Sequence, residues 1–419
     1  MTSFAPTDDG HADLSSHDSF LAGAPHNTFA RLRREQPLAW SEMKGGKGFW
    51  SVTRHHDILE LNRNVELLST AQGIRMEDQT REEYLARRTF QETDPPEHSR
   101  TRVLVAKAFS KPVVAQFENQ IKEICDSILD AAIESGSFDA VKDVARQLPM
   151  RMLGQIIGVP DFDLDWLVEK GDQLIANADP EFTEHVVDQA DTDAYRLMPF
   201  RSPAGAELFD YAKALMRDKD KRGDTSGVLH LILQPDSHGN VISELEFRNF
   251  FCLLVAAGND TTRYSISASL YALANRPALL GELKTGHAQM WECAADEFIR
   301  WASPTMHFRR TATRDFELHG REVKAGDKVL LWFVSANRDE TAFDQPFDIN
   351  VRRTPNRHVA FGYGAHLCLG QYLAKLEMRI LFEELLPRLK SLALDGEVKM
   401  TQAYFVNGPK KLPIRFEVN

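Results

Sequence analysis

The residues best suited to chemistry fall in two short stretches and a few charged groups. Phe361-Gly-Tyr-Gly-Ala-His-Leu-Cys368-Leu-Gly370 sets one cysteine among three glycines at the start of the last long helical pattern. Gly362, Gly364 and Gly370 permit positive φ and close approach to something flat. Helix N–H groups without partners, and the positive end of the dipole, predict a lowered pKa for Cys368 and a thiolate in waiting. A dinucleotide loop is the other glycine-rich reading, but Leu367 stands where the third glycine belongs and no strand–helix unit surrounds it. The second stretch, Ala257-Gly258-Asn259-Asp260-Thr261-Thr262, lies inside a long helical pattern. A mid-helix glycine costs about 1 kcal/mol, which a ligand pressing on the backbone at Gly258 would explain. Asp260 beside the Thr261 hydroxyl can relay protons; the plain alternative is a threonine bonded back to the preceding turn and a solvated aspartate. Glu297 and Arg300, three apart, have the spacing of an ordinary helical ion pair.

A lone cysteine in the 361–370 segment leaves zinc and iron–sulfur sites short of ligands, whereas a single-thiolate haem needs one sulfur, N–H donors aimed at it and a dry wall. Cys125, Cys252 and Cys293 read as small core residues, too scattered for a disulfide framework, so a reducing compartment is expected.

These groups need a large, mainly helical scaffold. The 419 residues are 43% hydrophobic and 26% charged, with mean hydropathy −0.36, the profile of a soluble globular chain and not of disorder or coiled coil. With 50 basic and 61 acidic residues the net charge is −11, which argues against nucleic acid or anionic lipid as a partner. Residues 1–20 carry no apolar leader, and the longest apolar stretch, Phe250 to Gly258, falls far short of the roughly twenty residues that cross a bilayer; a cytoplasmic protein without a membrane anchor is expected. Apolar spacing predicts a short helix from Glu97 with His98 and Arg102 on one face, and helices over Phe117–Ile133, Pro149–Ile157 and Glu207–Met216. The mixed-charge run Arg217–Asp224 reads as a solvated connector. Ser243-Glu244-Leu245-Glu246 is a capping box that opens about thirty residues without proline, on the order of 45 Å of helix. Short β-rich runs, Phe316–Leu318 and Val329–Val334, follow; Asn337–Gly370 is a long irregular segment, and a last helix covers Gln371–Leu386.

Phe361, Gly362, Gly364, His366, Cys368 and Gly370 match the Phe-Gly-x-Gly-x-His-x-Cys-x-Gly signature of the cytochrome P-450 haem-thiolate monooxygenases, and from the Trp50 region to the C-terminus the chain resembles that family, nearest its soluble bacterial class. The resemblance implies a mainly α fold with small β-sheets (α+β), about a dozen or more helices around a buried haem b (iron protoporphyrin IX). A single domain over residues 1–419 is expected, with 1–25 as a poorly ordered tail. It makes Cys368 the axial iron ligand and lays the turn at Ala257 and Gly258 across the distal haem face. Thr261 would hold the oxygen that is split, and Asp260 would help deliver protons. Glu297, Arg300 and Arg353 would form a structural network; His98, Arg102, Arg310 and His358 would meet the haem propionates.

The same resemblance implies insertion of one oxygen atom of O2 into a C–H bond. No nucleotide-binding loop occurs elsewhere in the chain, so electrons are expected from a ferredoxin and its NAD(P)H-dependent reductase, docking near Lys107, Lys111 and Lys375. The substrate pocket falls by analogy around Gln72–Glu92, Ala176–Pro203, Leu254–Thr261, Thr305–Phe308 and Ala403–Val406, with Leu254, Thr305, Met306, His307, Tyr404 and Phe405 as candidate contacts. A small hydrophobic substrate is expected, either a terpenoid, a steroid side chain or another alkyl or aryl compound. Two alternatives remain: a peroxide-driven peroxygenase, which would usually lack the acid–threonine pair and carry a cationic anchor for a fatty-acid carboxylate, and a non-enzymatic haem sensor or carrier.

Overall fold

The computed structural model describes residues 8–43, 46–134, 136–175, 179–182, 184, 191–222, 227–236 and 238–419. The molecule is built around the helix Glu244–Asn275, whose first turn is closed by the expected capping box: Ser243 accepts from Glu246 N, and Glu246 reaches back to Ser243 N. Phe247, Phe250, Phe251, Val255, Ile266, Leu270 and Leu273 are all buried, so this helix is apolar nearly all round, as a helix at the centre of a large core must be. Its serines stay buried without cost because the hydroxyls of Ser265, Ser267 and Ser269 donate to carbonyls four residues back.

Shorter amphipathic helices pack on this axis, as Gln147–Ile157 and Pro203–Arg222 do, or on the helices around it. The expected Phe117–Ile133 pattern forms Glu118–Glu134, burying Ile121, Ile124, Cys125, Ile128, Leu129 and Ala132. The Pro149 helix begins two residues early, at Gln147, and stops at Gly158, whose φ of 80° makes a left-handed cap. The segment expected to be a solvated connector from Arg217 is helical instead: Pro203–Arg222 is one helix, with Arg217 and Asp218 exposed on it. Residues 223–226 of that run lie outside the described residues.

A five-stranded sheet stands to one side, in the order Leu38–Ser41, Phe49–Val52, Lys328–Trp332, His307–Ala312, Leu68–Ser69. Phe49–Val52 pairs with Lys328–Trp332 in parallel; the other pairings are antiparallel. The β-rich run expected through Val334 leaves the sheet at Trp332, and Phe333–Ala336 turns into a short helix. From residue 8 onward the N-terminal segment does not match the tail expected there. Phe20 is fully buried, and the Asp8 carboxylate accepts from the amides of Asn27 and Thr28. No helix among the described residues is long and apolar enough to cross a membrane.

Candidate active site

A cavity of about 880 Å³ lies between the long helix and the loop before Gln371–Leu385, lined on one side by Leu254, Ala257, Gly258, Thr261 and Thr262 and on the other by Phe361, His366, Cys368, Leu369 and Gly370. The two stretches picked out for their chemistry, a hundred residues apart in sequence, therefore face one space.

The cysteine loop is held by backbone geometry. Gly362 and Gly364 have φ of 71° and 74°, and a Cβ on Gly364 would sit 2.8 Å from the Asn62 carbonyl oxygen; only glycine fits there. Gly370 differs from the expectation, with φ −85° and nothing within 4 Å of where a Cβ would stand. The Cys368 amide donates to Phe361 O at 2.9 Å, closing the loop so that the sulfur reaches the cavity wall. The expected lowering of the thiol pKa is overturned. Burial pushes Cys368 up, and the Gly370 and Gln371 amides and the Arg102 guanidinium only partly pull it back. A dry site penalises the anion more than helix dipoles favour it.

Beside the cysteine, His98, Arg102, Arg310 and His366 crowd together. The imidazoles of His98 and His366 are 4.1 Å apart, and His98 is buried with neither ring nitrogen hydrogen-bonded. Burial, then the neighbouring cations, push His98 down to about 4 and His366 down to about 2; burial pushes Arg310 down to about 10. The one carboxylate acting on both His98 and Arg310, Asp94, already accepts from Ser69 and Thr70. The guanidiniums of Arg102 and Arg310 are held on Leu367 O and Asn62 Oδ1 with no carboxylate among the described residues in ion-pair contact, and the buried His98 ring keeps two unbonded nitrogens. The two propionates of a haem laid against Cys368 would supply the missing anions and acceptors, so the residues fit that group. His358 departs from its expected role. Its Nε2 lies 3.2 Å from Asp296 Oδ1 and its Nδ1 accepts from Ala360 N at 3.3 Å, leaving no nitrogen for a propionate.

On the opposite wall Thr261 lines the cavity, its hydroxyl donating to Ala257 O at 2.7 Å, so its oxygen lone pairs stay open to a donor in the cavity. Gly258 is explained by packing: a Cβ there would lie 3.0 Å from Leu153 Cδ2. Asp260 is fully buried and turned away from the lining, paired with Arg263, which also holds Asp172; Asp172 in turn meets Arg146 at 2.6 Å. Burial pushes the Asp260 carboxyl up to about 7 against the pull of Arg263. Arg263 stands three residues on in the same helix, a spacing visible in sequence but not singled out there, whereas Asp172 and Arg146 come from other parts of the chain and had no sequence signal.

Glu297, Arg300 and Arg353 do assemble. Both oxygens of Glu297 meet Arg300 at 2.8 Å, Arg353 Nε adds a contact at 3.0 Å, and Asn350 N donates at 2.8 Å. Of the candidate pocket residues, Leu254, Thr305, Tyr404 and Phe405 line the cavity; Met306 and His307 do not. Met306 is packed in the core beside the five-stranded sheet, and His307 is fully buried with Nδ1 on Tyr404 O at 3.2 Å. The chain reaches the wall at Thr305 and again at Phe308, past two side chains that the sheet needs. Residues 176–178, 183 and 185–190 of the expected pocket lie outside the described residues.

Glu377, which sequence reasoning missed, lines the same cavity, and burial alone pushes its carboxyl up to about 8 from 4.5. The unfolded chain releases this proton near 4.5 while the folded one keeps it, so stability is whole below that pH and is lost as pH rises towards 8, by on the order of 5 kcal/mol. Urea unfolding at pH 5 and pH 8 should show that fall shrinking in Glu377→Gln by about that amount; an unchanged pH dependence would rule out a buried neutral carboxyl.

The cytochrome P-450 family profile matches residues 19–416. Cytochrome P-450-terp from Pseudomonas sp is 32% identical over 403 residues, spanning 93% of this chain and 92% of that protein. A methyl-branched lipid omega-hydroxylase of Mycobacterium bovis is 33% identical over 92% and 90%. A solved Mycobacterium marinum cytochrome P-450 in complex with pseudoionone superposes with a TM-score of 0.87 at 32% identity, covering 98% of this chain and 99% of its own. With a cavity-facing cysteine, a threonine on the wall across from it and two arginines beside a histidine pair next to the cysteine, the chain belongs to the cytochrome P-450 family, whose members bind haem b through a cysteine thiolate and act as monooxygenases.

Proposed function

We propose that Cys368 is the haem ligand and that the protein hydroxylates a small hydrophobic molecule in the cytoplasm, with electrons from a ferredoxin and its NAD(P)H-dependent reductase. The observation that carries this reading is the placement of the Cys368 sulfur and the Thr261 hydroxyl on facing walls of one largely apolar cavity. Haem bound there supplies the activation of O2 that no side chain can perform.

The protein's part is position, access and protons. Gly370 N and Gln371 N donate to the Cys368 sulfur, steadying negative charge on it. His98, Arg102, Arg310 and His366 would hold the propionates. The Thr261 hydroxyl, anchored on Ala257 O, accepts a proton-bearing donor in the cavity and passes protons on. Asp260, next in the chain and titrating near neutrality, stores a proton within the Arg263–Asp172 network and reaches the cavity only by leaving Arg263. Phe90, Phe109, Leu153, Phe250 and Leu253 complete a wall suited to a terpenoid, a steroid side chain or an alkyl chain. For docking of the ferredoxin, Lys107 and Lys111 are exposed, whereas Lys375 already pairs with Asp296 at 2.7 Å.

The test is turnover of a hydrophobic compound that shifts the Soret band, with a ferredoxin system in one arm and hydrogen peroxide in the other. Product from the ferredoxin arm is expected, and Thr261→Ala should lower the product formed per NAD(P)H by roughly tenfold or more while peroxide accumulates. Product from peroxide alone would make the protein a peroxygenase, and none from either arm would leave a haem carrier.

A further inference from the structure

Three arginines line the cavity among the described residues: Arg75, Arg87 and Arg201. Arg87 and Arg201 both reach Glu83, at 3.9 and 3.7 Å, and Arg87 also bonds Gln79. Arg75 makes no hydrogen bond or ion pair with any described residue, and its Nη2 is buried. Its guanidinium carbon lies 5.0 Å from the Phe200 ring centroid and 4.8 Å from that of Phe405. Two rings from distant parts of the chain thus cover the guanidinium and leave its edge as the place for hydrogen bonds.

Strain marks the same spot. Phe200 and Arg201 have φ of 59° and 52°, a left-handed conformation that side chains disfavour and that persists where the surroundings demand it. The turn before Pro203–Arg222 adopts it, and so brings Phe200 over Arg75. The acids near Arg75 feel its charge without bonding it: against the effect of burial, Arg75 helps hold Glu77 below the usual carboxylate range, and Glu77 Oε2 is buried and unbonded. Glu77 accepts from the Tyr404 hydroxyl at 2.9 Å, and Glu92 caps Thr89 N at 3.2 Å, with its carboxyl pushed up by burial. Neither comes within ion-pair distance of Arg75. A guanidinium whose buried Nη2 has no hydrogen-bond acceptor leaves that donor's desolvation uncompensated unless the cavity's ligand completes it.

We propose that the substrate is an amphipathic organic acid whose carboxylate binds the edge of Arg75 between Phe200 and Phe405, its hydrocarbon part filling the space lined by Phe90, Phe250, Leu253 and Leu254. This rests on the monooxygenase reading and narrows its substrate class. The cationic anchor thereby stands in the same cavity as the threonine of the oxygen-splitting wall, a pairing that the sequence expectation had assigned to different kinds of family member.

The experiment uses the haem-loaded protein with three probes of equal chain length: dodecanoic acid, methyl dodecanoate and dodecane. Affinity is read by the Soret shift and independently by equilibrium dialysis. The acid should bind at least about tenfold more tightly than its methyl ester. Arg75→Gln should erase that difference while leaving ester and alkane affinity within about twofold, and Arg75→Lys should keep part of it. Equal affinity of the native protein for acid and ester, or an Arg75→Gln variant that still prefers the acid, would overturn the carboxylate assignment. If that happened while ester and alkane still shifted the Soret band, the hydroxylase reading would stand without it. Loss of the thiolate spectrum in the native protein would instead remove the hydroxylase reading itself.

Discussion

Serine in place of Cys368 is expected to lower product formation by roughly a thousandfold, about 4 kcal/mol of transition-state stabilisation, while the protein still folds. The substitution is nearly isosteric. The loop geometry rests on Gly362, Gly364 and the Cys368 amide on Phe361 O, none of which involves sulfur. What changes is the donor: a hydroxyl on the cavity wall stays protonated where a thiol bound to a metal does not, and only a thiolate gives carbon monoxide-treated reduced haem its red-shifted Soret band. Circular dichroism should match the native protein, the red-shifted band should vanish, and turnover should fall together with it. Full activity in Cys368→Ser would remove the cysteine from the chemistry; an unfolded variant would be recognised by its circular dichroism, and Cys368→Ala then offers a second chance to separate fold from ligation.

Removing the carboxylate of Glu297 is expected to give the largest loss of stability of any single change considered, about 3–5 kcal/mol. Glu297 and Arg300 are both fully buried. Burial alone would raise the Glu297 pKa, but Arg300, the Asn350 amide and Arg353 outweigh it and hold the group ionised. The remaining Arg300 donors go to the carbonyls of Asn337, Pro346 and Asp348 at 2.7, 2.8 and 3.0 Å. One carboxylate therefore ties a helix to the irregular stretch between the sheet and the cysteine loop. In Glu297→Ala a guanidinium would be left in a dry interior with no counter-charge. Urea unfolding should register the loss in haem-free and haem-loaded protein alike, and haem should dissociate more readily from the variant. A Glu297→Ala protein within about 1 kcal/mol of native would show that the backbone carbonyls, and not the ion pair, hold this segment.

How much was legible in sequence depended on how local the cause was. The long helix could be read because its cap, its periodicity and its freedom from proline lie within Ser243–Asn275. The tight loop at Gly362 and Gly364 could be read because a positive φ needs glycine wherever the chain folds. Glu297 and Arg300 have an ordinary helical spacing that carries little information; their complete burial comes from residues 337–353, which no spacing rule connects to them.

The misses have a common origin. His307 is turned inward by its pairing with Trp332 in the sheet, and Met306, just before that strand, is drawn into the core beside it; register and packing are properties of more than one segment. His358 went to Asp296 because packing brings them together, and Asp260 went to Arg263, three residues on in its own helix, which packing also brings to Asp172. Gly258 answers to Leu153 on a neighbouring helix.

By itself, then, the order of residues determined the family, the ligand-bearing cysteine loop and the helix that would face it, since each is encoded by short-range conformational limits and by a motif with few alternative uses. Only tertiary structure decided the burial around Cys368, the direction of Asp260 and the placement of Arg75 on the cavity wall. Burial and charge pairing are sums over neighbours, and those neighbours meet only when the chain has folded.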